Sequence, residues 1–178
     1  MRRPILIHPD PRLKKICDPV ADFNDQTRAL MDDMLETMYD APGIGLAAPQ
    51  IGLNTRVIVM DCAARAAEDG EPEPKPEPIC LANPEIVWSS QEMSEHEEGC
   101  LSIPEIFGMV TRPEQVHVRF LNRDGEEEMR EFSGIWATCV QHEIDHLNGK
   151  LFIDYLSSMR RSMITQKMKK LKRTRATA

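Results

Sequence analysis

The sequence has no apolar run long enough to span a bilayer, no C-x-x-C pair among its cysteines and no internal repeat. The first absence sets integral membrane helices aside, so no membrane partner is expected. At the amino terminus Arg2 and Arg3 are followed only by the short apolar stretch Ile5 to Ile7 before His8, Pro9 and Pro11 interrupt it, which is too little for a secretory signal core. Five cysteines, Cys17, Cys62, Cys80, Cys100 and Cys139, are an odd number without C-x-x-C spacing. That argues against a disulfide framework and for a reducing compartment, and the expected location is cytoplasmic. Without a repeat, a stacked array of units is excluded as well.

What is present suits a globular chain. With 178 residues, 41% of them hydrophobic, one compact domain over residues 1–178 can bury a sizeable core. The formal charge of -7 is unevenly spread, because every charged residue from Arg160 to Arg175 is basic. A basic tail over residues 160–178 suggests contact with RNA or another acidic surface, the ribosome among them. The plainer reading is a solvated helix face with a frayed end.

Asn24 or Asp25 can cap a helix whose apolar residues Leu30, Met31, Met34, Leu35 and Met38 recur at helical spacing, ending before Pro42 and Gly43. Its methionines read as packing residues. The stretch Gly43 to Gln50, rich in Gly, Ala and Pro, reads as a loop leading into a buried strand at Val57 to Val59. Residues 68–78 alternate acidic residues and Lys75 with Pro72, Pro74, Pro76 and Pro78, a composition that predicts an extended, exposed loop. Further strands are expected at Ile86 to Trp88, around Met93 to Glu97, and at Val116, Val118 and Phe120, with a hairpin turn at Asn122 to Gly125. Helical patterning returns from Gly134 to Leu147, with Ser133 as a possible cap and Asn148-Gly149 as its stop, and a last helix starts near Ser157. Strands grouped between helices, rather than alternating with them, predict an α+β fold of mostly antiparallel sheet. Trp88 and Trp136 are expected in the core.

Within the expected helix lies His142-Glu143-Ile144-Asp145-His146, an H-E-x-x-H pattern. Residues four apart share a helix face, so both imidazoles can reach one metal ion while Glu143, beside the first, can reach a water at that ion. For a third ligand, His8 and His117 offer little, one in a proline-rich start and the other alternating with apolar residues along a strand. Cys100 is the better candidate, since it follows Glu98-Gly99 and its thiolate suits a soft transition-metal site. A lone cysteine is more often a small buried hydrophobe, which is how Cys17, Cys62, Cys80 and Cys139 read.

Three segments then occur together: Gly43-Ile44-Gly45-Leu46-Ala47-Ala48-Pro49-Gln50, Glu98-Gly99-Cys100-Leu101-Ser102 and Gln141-His142-Glu143-Ile144-Asp145-His146. In that order they resemble the three motifs of peptide deformylases, and the likeness runs from about Pro4 through Leu151-Phe152-Ile153-Asp154. The resemblance implies a hydrolase of protein biosynthesis that removes the formyl group from formyl-methionine of nascent peptides and releases formate. It implies that Cys100, His142 and His146 hold one divalent metal, usually Fe2+ in the family, with Zn2+, Ni2+ or Co2+ also compatible with such ligands. It implies Glu143 as general acid and base, Gln50 and the backbone N–H of Leu101 as oxyanion donors, and Gly45 as a partner of the substrate backbone. Ile44, Ile135, Thr138 and Cys139 would line the methionine pocket, Thr138 being more polar than many relatives show there. Phe107 stands where certain bacterial relatives carry arginine. No DNA partner is expected. A metallo-endopeptidase shares H-E-x-x-H but takes its third ligand from His or Glu. A purely structural ion would need four protein ligands, where three emerge here.

Overall fold

The structure, a computed structural model, describes residues 1–177, so Ala178 at the end of the expected basic tail lies outside the described residues. Helix α1 (Asp25–Asp40) starts at Asn24, whose side chain accepts from the N–H groups of Gln26 and Thr27. Strand β1 (Gly45–Ala47) follows, then β2 (Val57–Met60), the single-turn helix α2 (Ala63–Ala66), and β3 (Ile79–Ser89). Strands β4 (Met93–Cys100) and β5 (Ile103–Pro113) form a separate hairpin. Strands β6 (Gln115–Leu121) and β7 (Glu127–Ser133) lead into α3 (Gly134–Leu147), and α4 (Ser158–Ala176) closes the chain. The main sheet is antiparallel throughout, in the order β1-β2-β3-β6-β7. The expected α+β class is the observed one.

Strand β2 explains the layering. Its four residues are all buried, and a strand covered on both faces must be apolar without alternation, as Val-Ile-Val-Met is. Ile58 and Met60 join Leu81, Val116, Val118 and the α3 residues Val140, Ile144 and Leu147 in one core. Val57 and Val59 face the other way, onto Met31, Met34 and Met38 of α1. The sheet is thus sandwiched between α1 and α3. A third cluster joins Ile103 and Val110 of β5 to Phe152 and to Ile164 and Met168 of α4.

Several elements depart from the sequence reading. Gly45–Ala47 is an edge strand of the main sheet rather than a loop. Strand β5 was hidden by Pro104, Gly108 and Pro113; it pairs only with β4, so N–H groups missing on its free side break no ladder. Trp88 is 46% exposed and stacks on His117, contrary to the core placement expected of it, because a register shift between Ile86 and Trp88 breaks the inward–outward alternation. Trp136, on α3, does pack against the core. Residues 68–78 carry no helix or strand and are largely exposed, as expected. The last helix, capped by Ser157, stays helical through Ala176 rather than fraying.

The end of α3 is fixed by a close approach. Gly149 has φ of +74°, and a Cβ there would lie 2.8 Å from the carbonyl carbon of Lys14. Next to it, the N–H of Cys17 donates to the Leu147 carbonyl, tying the amino-terminal segment to the ligand-bearing helix. Gly149→Ala should therefore destabilise the fold by about 2 kcal/mol, since it adds both strain and a clash. Thermal denaturation should show a Tm lower by about 4–8 °C.

Candidate metal centre

Two elements bring the chemistry together. Helix α3 is buried over most of its length, including the polar residues Gln141, His142, Glu143 and His146. The hairpin β4–β5 places Cys100 opposite it, at a register shift between Gly99 and Cys100 that turns the strand end out of its ladder. The Cys100 sulfur and ring nitrogens of His142 and His146 all lie within 4.8 Å of one another, and Cys100 Sγ is 3.5 Å from His146 Nε2. One thiol and two imidazoles converging in this way fit a borderline transition metal, and among the described residues no fourth ligand joins them.

The first ligand histidine is oriented from behind. His142 Nδ1 lies 2.9 Å from Glu98 Oε1, so the proton sits on Nδ1 and the Nε2 lone pair is left for a metal. Glu98 is held in turn by Arg112, which donates to both its oxygens at 2.7 and 2.9 Å and to Asp145 Oδ2 at 2.8 Å. The hydroxyl of Tyr155 donates to the same Asp145 oxygen. Burial alone would raise the Glu98 carboxyl, but hydrogen bonds from His142 and Arg112 bring it below the ordinary carboxylate range. For His142, burial is outweighed by Glu143, Cys100 and Glu98, which raise its affinity for a proton; burial and the neighbouring His142 lower that of His146.

Glu143 has no such support. It is 3% exposed, its Oε1 has no hydrogen-bond partner, and burial pushes its pKa up to about 7. That value suits a group that must both take and give a proton near neutrality. Gln50 is pinned on one side, its Oε1 accepting from the Ala47 N–H at 2.9 Å. Its Nε2 is thereby turned to the site, 3.5 Å from Cys100 Sγ and 3.1 Å from Ser102 Oγ. Gly45 passes so close to α3 that a Cβ would run into Glu143 Oε2 and lie 2.9 Å from Cys139 Sγ, so a larger residue there would displace Glu143.

A cavity of about 690 Å³ opens over these groups. Ile44, Gly45, Gln50, Cys100, Leu101, Ile135, Thr138, Cys139, His142 and Glu143 all line it, so of the site residues read from the sequence only His146, 1% exposed, does not. Cys17, Cys62, Cys80 and Cys139 are buried, as small hydrophobes should be. His8 and His117 lie outside the cavity lining, the first against Thr165 Oγ1 at 2.8 Å and the second 3.5 Å from Glu131. Sequence reasoning missed Glu98, Asp145 and Arg112 as orienting groups. The first two lie inside the quoted motifs, and a carboxylate two residues before a candidate ligand could have flagged Glu98; Arg112 sits in the strand that the prolines concealed.

A family model described as polypeptide deformylase matches residues 2–162. A peptide deformylase of Methylocella silvestris is 57% identical over 168 residues, covering 94% of this chain and 84% of its own. The crystal structure of peptide deformylase from Ehrlichia chaffeensis superposes with a TM-score of 0.91 at 40% identity, covering 99% of each chain. One from Legionella pneumophila gives 0.85 at 46% identity, over 99% of this chain and 98% of that one. With its thiol and two imidazoles beside a buried glutamate, and with this likeness along nearly its whole length, the chain belongs to the polypeptide deformylase family.

Proposed function

We propose that the chain is a metal-dependent hydrolase that removes the formyl group from the N-terminal methionine of newly made polypeptides, working as one catalytic unit in the cytoplasm. The observation that carries this reading is the convergence of Cys100, His142 and His146 beside Glu143 on the wall of an open cavity. Among the described residues no helix is long and apolar enough to cross a membrane.

A divalent metal held by Cys100 and the two histidines would supply a Lewis acid and lower the pKa of water to about 7, making a nucleophile available at neutral pH. Fe2+ is the ion we assign, on the resemblance and on a donor set of one thiolate and two imidazoles, which also accepts Zn2+, Ni2+ or Co2+. Glu143 takes the proton of the attacking water and delivers it to the departing amine nitrogen, so that formate and a free N-terminus result. As charge gathers on the formyl oxygen, the Gln50 amide and the Leu101 N–H donate to it. The Gln50 amide is already turned toward the site, because its Oε1 accepts from the Ala47 N–H. Gly45, on the exposed edge of β1, pairs with the substrate backbone in the manner of an added strand. Ile44, Ile135, Thr138 and Cys139 enclose the methionine side chain. The basic residues of α4 are proposed to meet the acidic ribosome from which such peptides emerge, a reading supported by a helix whose charges are all positive.

Formate release from a short formyl-Met peptide, by protein prepared without oxygen or loaded with nickel, tests the reaction. Glu143→Ala should keep the metal content of the parent and lose at least about a hundredfold in turnover; undiminished turnover would remove Glu143 from the mechanism. Gln50→Ala should also keep its metal and lose roughly a hundredfold in kcat with a smaller change in KM, because its donor acts on the oxyanion. Equal loss of metal and of rate would instead make Gln50 a support for Cys100.

A further inference from the structure

Among the described residues, the wall of the cavity carries a buried side-chain hydroxyl that neither the fold nor the proposed chemistry uses. Thr138 lies on α3 one turn before His142, is 4% exposed, and lines the cavity with Ile135 and Cys139. Its Oγ1 is buried and has no hydrogen-bond partner. A threonine inside a helix ordinarily directs its hydroxyl to the carbonyl four residues earlier, which here would be Gly134. That bond is absent, so the hydroxyl is not satisfied by its own helix. The contrast with Gln141 on the same helix is direct, since the Gln141 amide donates to both Ala137 O and Pro113 O. A buried hydroxyl without a partner costs about as much as a lost hydrogen bond, and valine would fill nearly the same space without that cost.

Resting on the deformylase reading above, we infer that the Thr138 hydroxyl is a specificity-determining group that donates a hydrogen bond to the thioether sulfur of the substrate's first side chain. Sulfur in a thioether is a weak acceptor, and it is the only polar atom of a methionine side chain. Norleucine has nearly the same length and shape but a methylene in place of the sulfur. When it enters the pocket it offers the hydroxyl no acceptor, and the hydroxyl stays unpaired. A site that presents a buried donor discriminates chiefly by this penalty on the wrong ligand, not by a bonus for the right one. Thr138 takes no part in bond making, and its hydroxyl acts on recognition alone.

The experiment is a comparison of kcat/KM for formyl-Met and formyl-norleucine peptides of otherwise identical sequence, in the parent, Thr138→Val and Thr138→Ser. The parent should favour the methionine peptide by about threefold to tenfold, the range expected of one modest hydrogen bond. Thr138→Val should bring the ratio close to one, mainly by raising kcat/KM for norleucine. Thr138→Ser keeps the hydroxyl and should keep the preference, which a loss of packing alone would not restore. A parent ratio near one, or a ratio that Thr138→Val leaves unchanged, overturns the inference. Formate release from neither peptide by metal-loaded, folded parent would instead overturn the deformylase reading, so the two failures are distinct. Should Thr138→Val not fold, the parent ratio and Thr138→Ser still decide.

Discussion

A guanidinium that is 4% exposed can remain charged inside a protein only where carboxylates surround it, and Arg112 has two, Glu98 on the neighbouring strand and Asp145 on α3. These contacts join three parts of the chain that local propensity does not bring together: β4, β5 and the ligand-bearing helix. The same Glu98 that neutralises Arg112 accepts from His142, so the charge balance of the interior and the orientation of a metal ligand are one arrangement. Tyr155 adds its ring over the guanidinium at 4.7 Å and its hydroxyl on Asp145. Removing one member of such a buried set leaves the others uncompensated, which typically costs about 3–5 kcal/mol. The hairpin that carries Cys100 is therefore held against α3 by an interaction that cannot be loosened in part.

Helix α3 needs that support because it is buried in a way helices seldom are. One face meets the apolar side of the main sheet through Val140, Ile144 and Leu147, and a helix with an ordinary polar face would turn the rest to water. Here the hairpin covers that other face, and its polar residues must find partners inside the protein. Gln141 does so through Ala137 and Pro113, and His142 through Glu98. Glu143, His146 and Thr138 keep unpartnered atoms, and all three lie in or beside the cavity. Two of the unsatisfied groups of this helix, Glu143 Oε1 and Thr138 Oγ1, thus lie on the wall of the cavity, where water and a substrate would meet them.

The parts legible in the sequence were those that depend on neighbours close along the chain. The Asn24 cap of α1, the spacing of α1 and α3, the stop at Asn148-Gly149, the H-E-x-x-H face and the hairpin turn at Asn122 to Gly125 all follow from local periodicity and turn chemistry, whereas Ser133 precedes α3 without a side-chain capping bond. The exposure of residues 68–78 follows from composition. What could not be read depends on pairing across the chain. Strand β7, Glu-Glu-Met-Arg-Glu-Phe-Ser, is polar because it is an edge strand with little to bury, and only its partner β6 makes it a strand. Trp88 reads as core until a bulge turns it outward, and nothing local marks Arg112 as buried before Glu98 and Asp145 enclose it. The candidate metal ligands were legible because two of them lie one turn apart, whereas Cys100 needed the company of its motif to be distinguished from the four other cysteines.

Two glutamates of the same interior illustrate how position rather than residue type sets chemistry. Glu98 and Glu143 are both almost fully buried, and burial pushes each toward the neutral acid. Glu98 receives two hydrogen bonds from Arg112 and one from His142, so it stays ionised and serves as a fixed acceptor. Glu143 receives none at Oε1, and the charges of Glu98 and Asp145 add to the cost of ionising it. Proton affinity near neutrality follows without any special feature at Glu143 itself. The ion-paired glutamate thus does two things at once: it orients His142 in the candidate metal centre, and its negative charge helps hold the neighbouring Glu143 near neutrality.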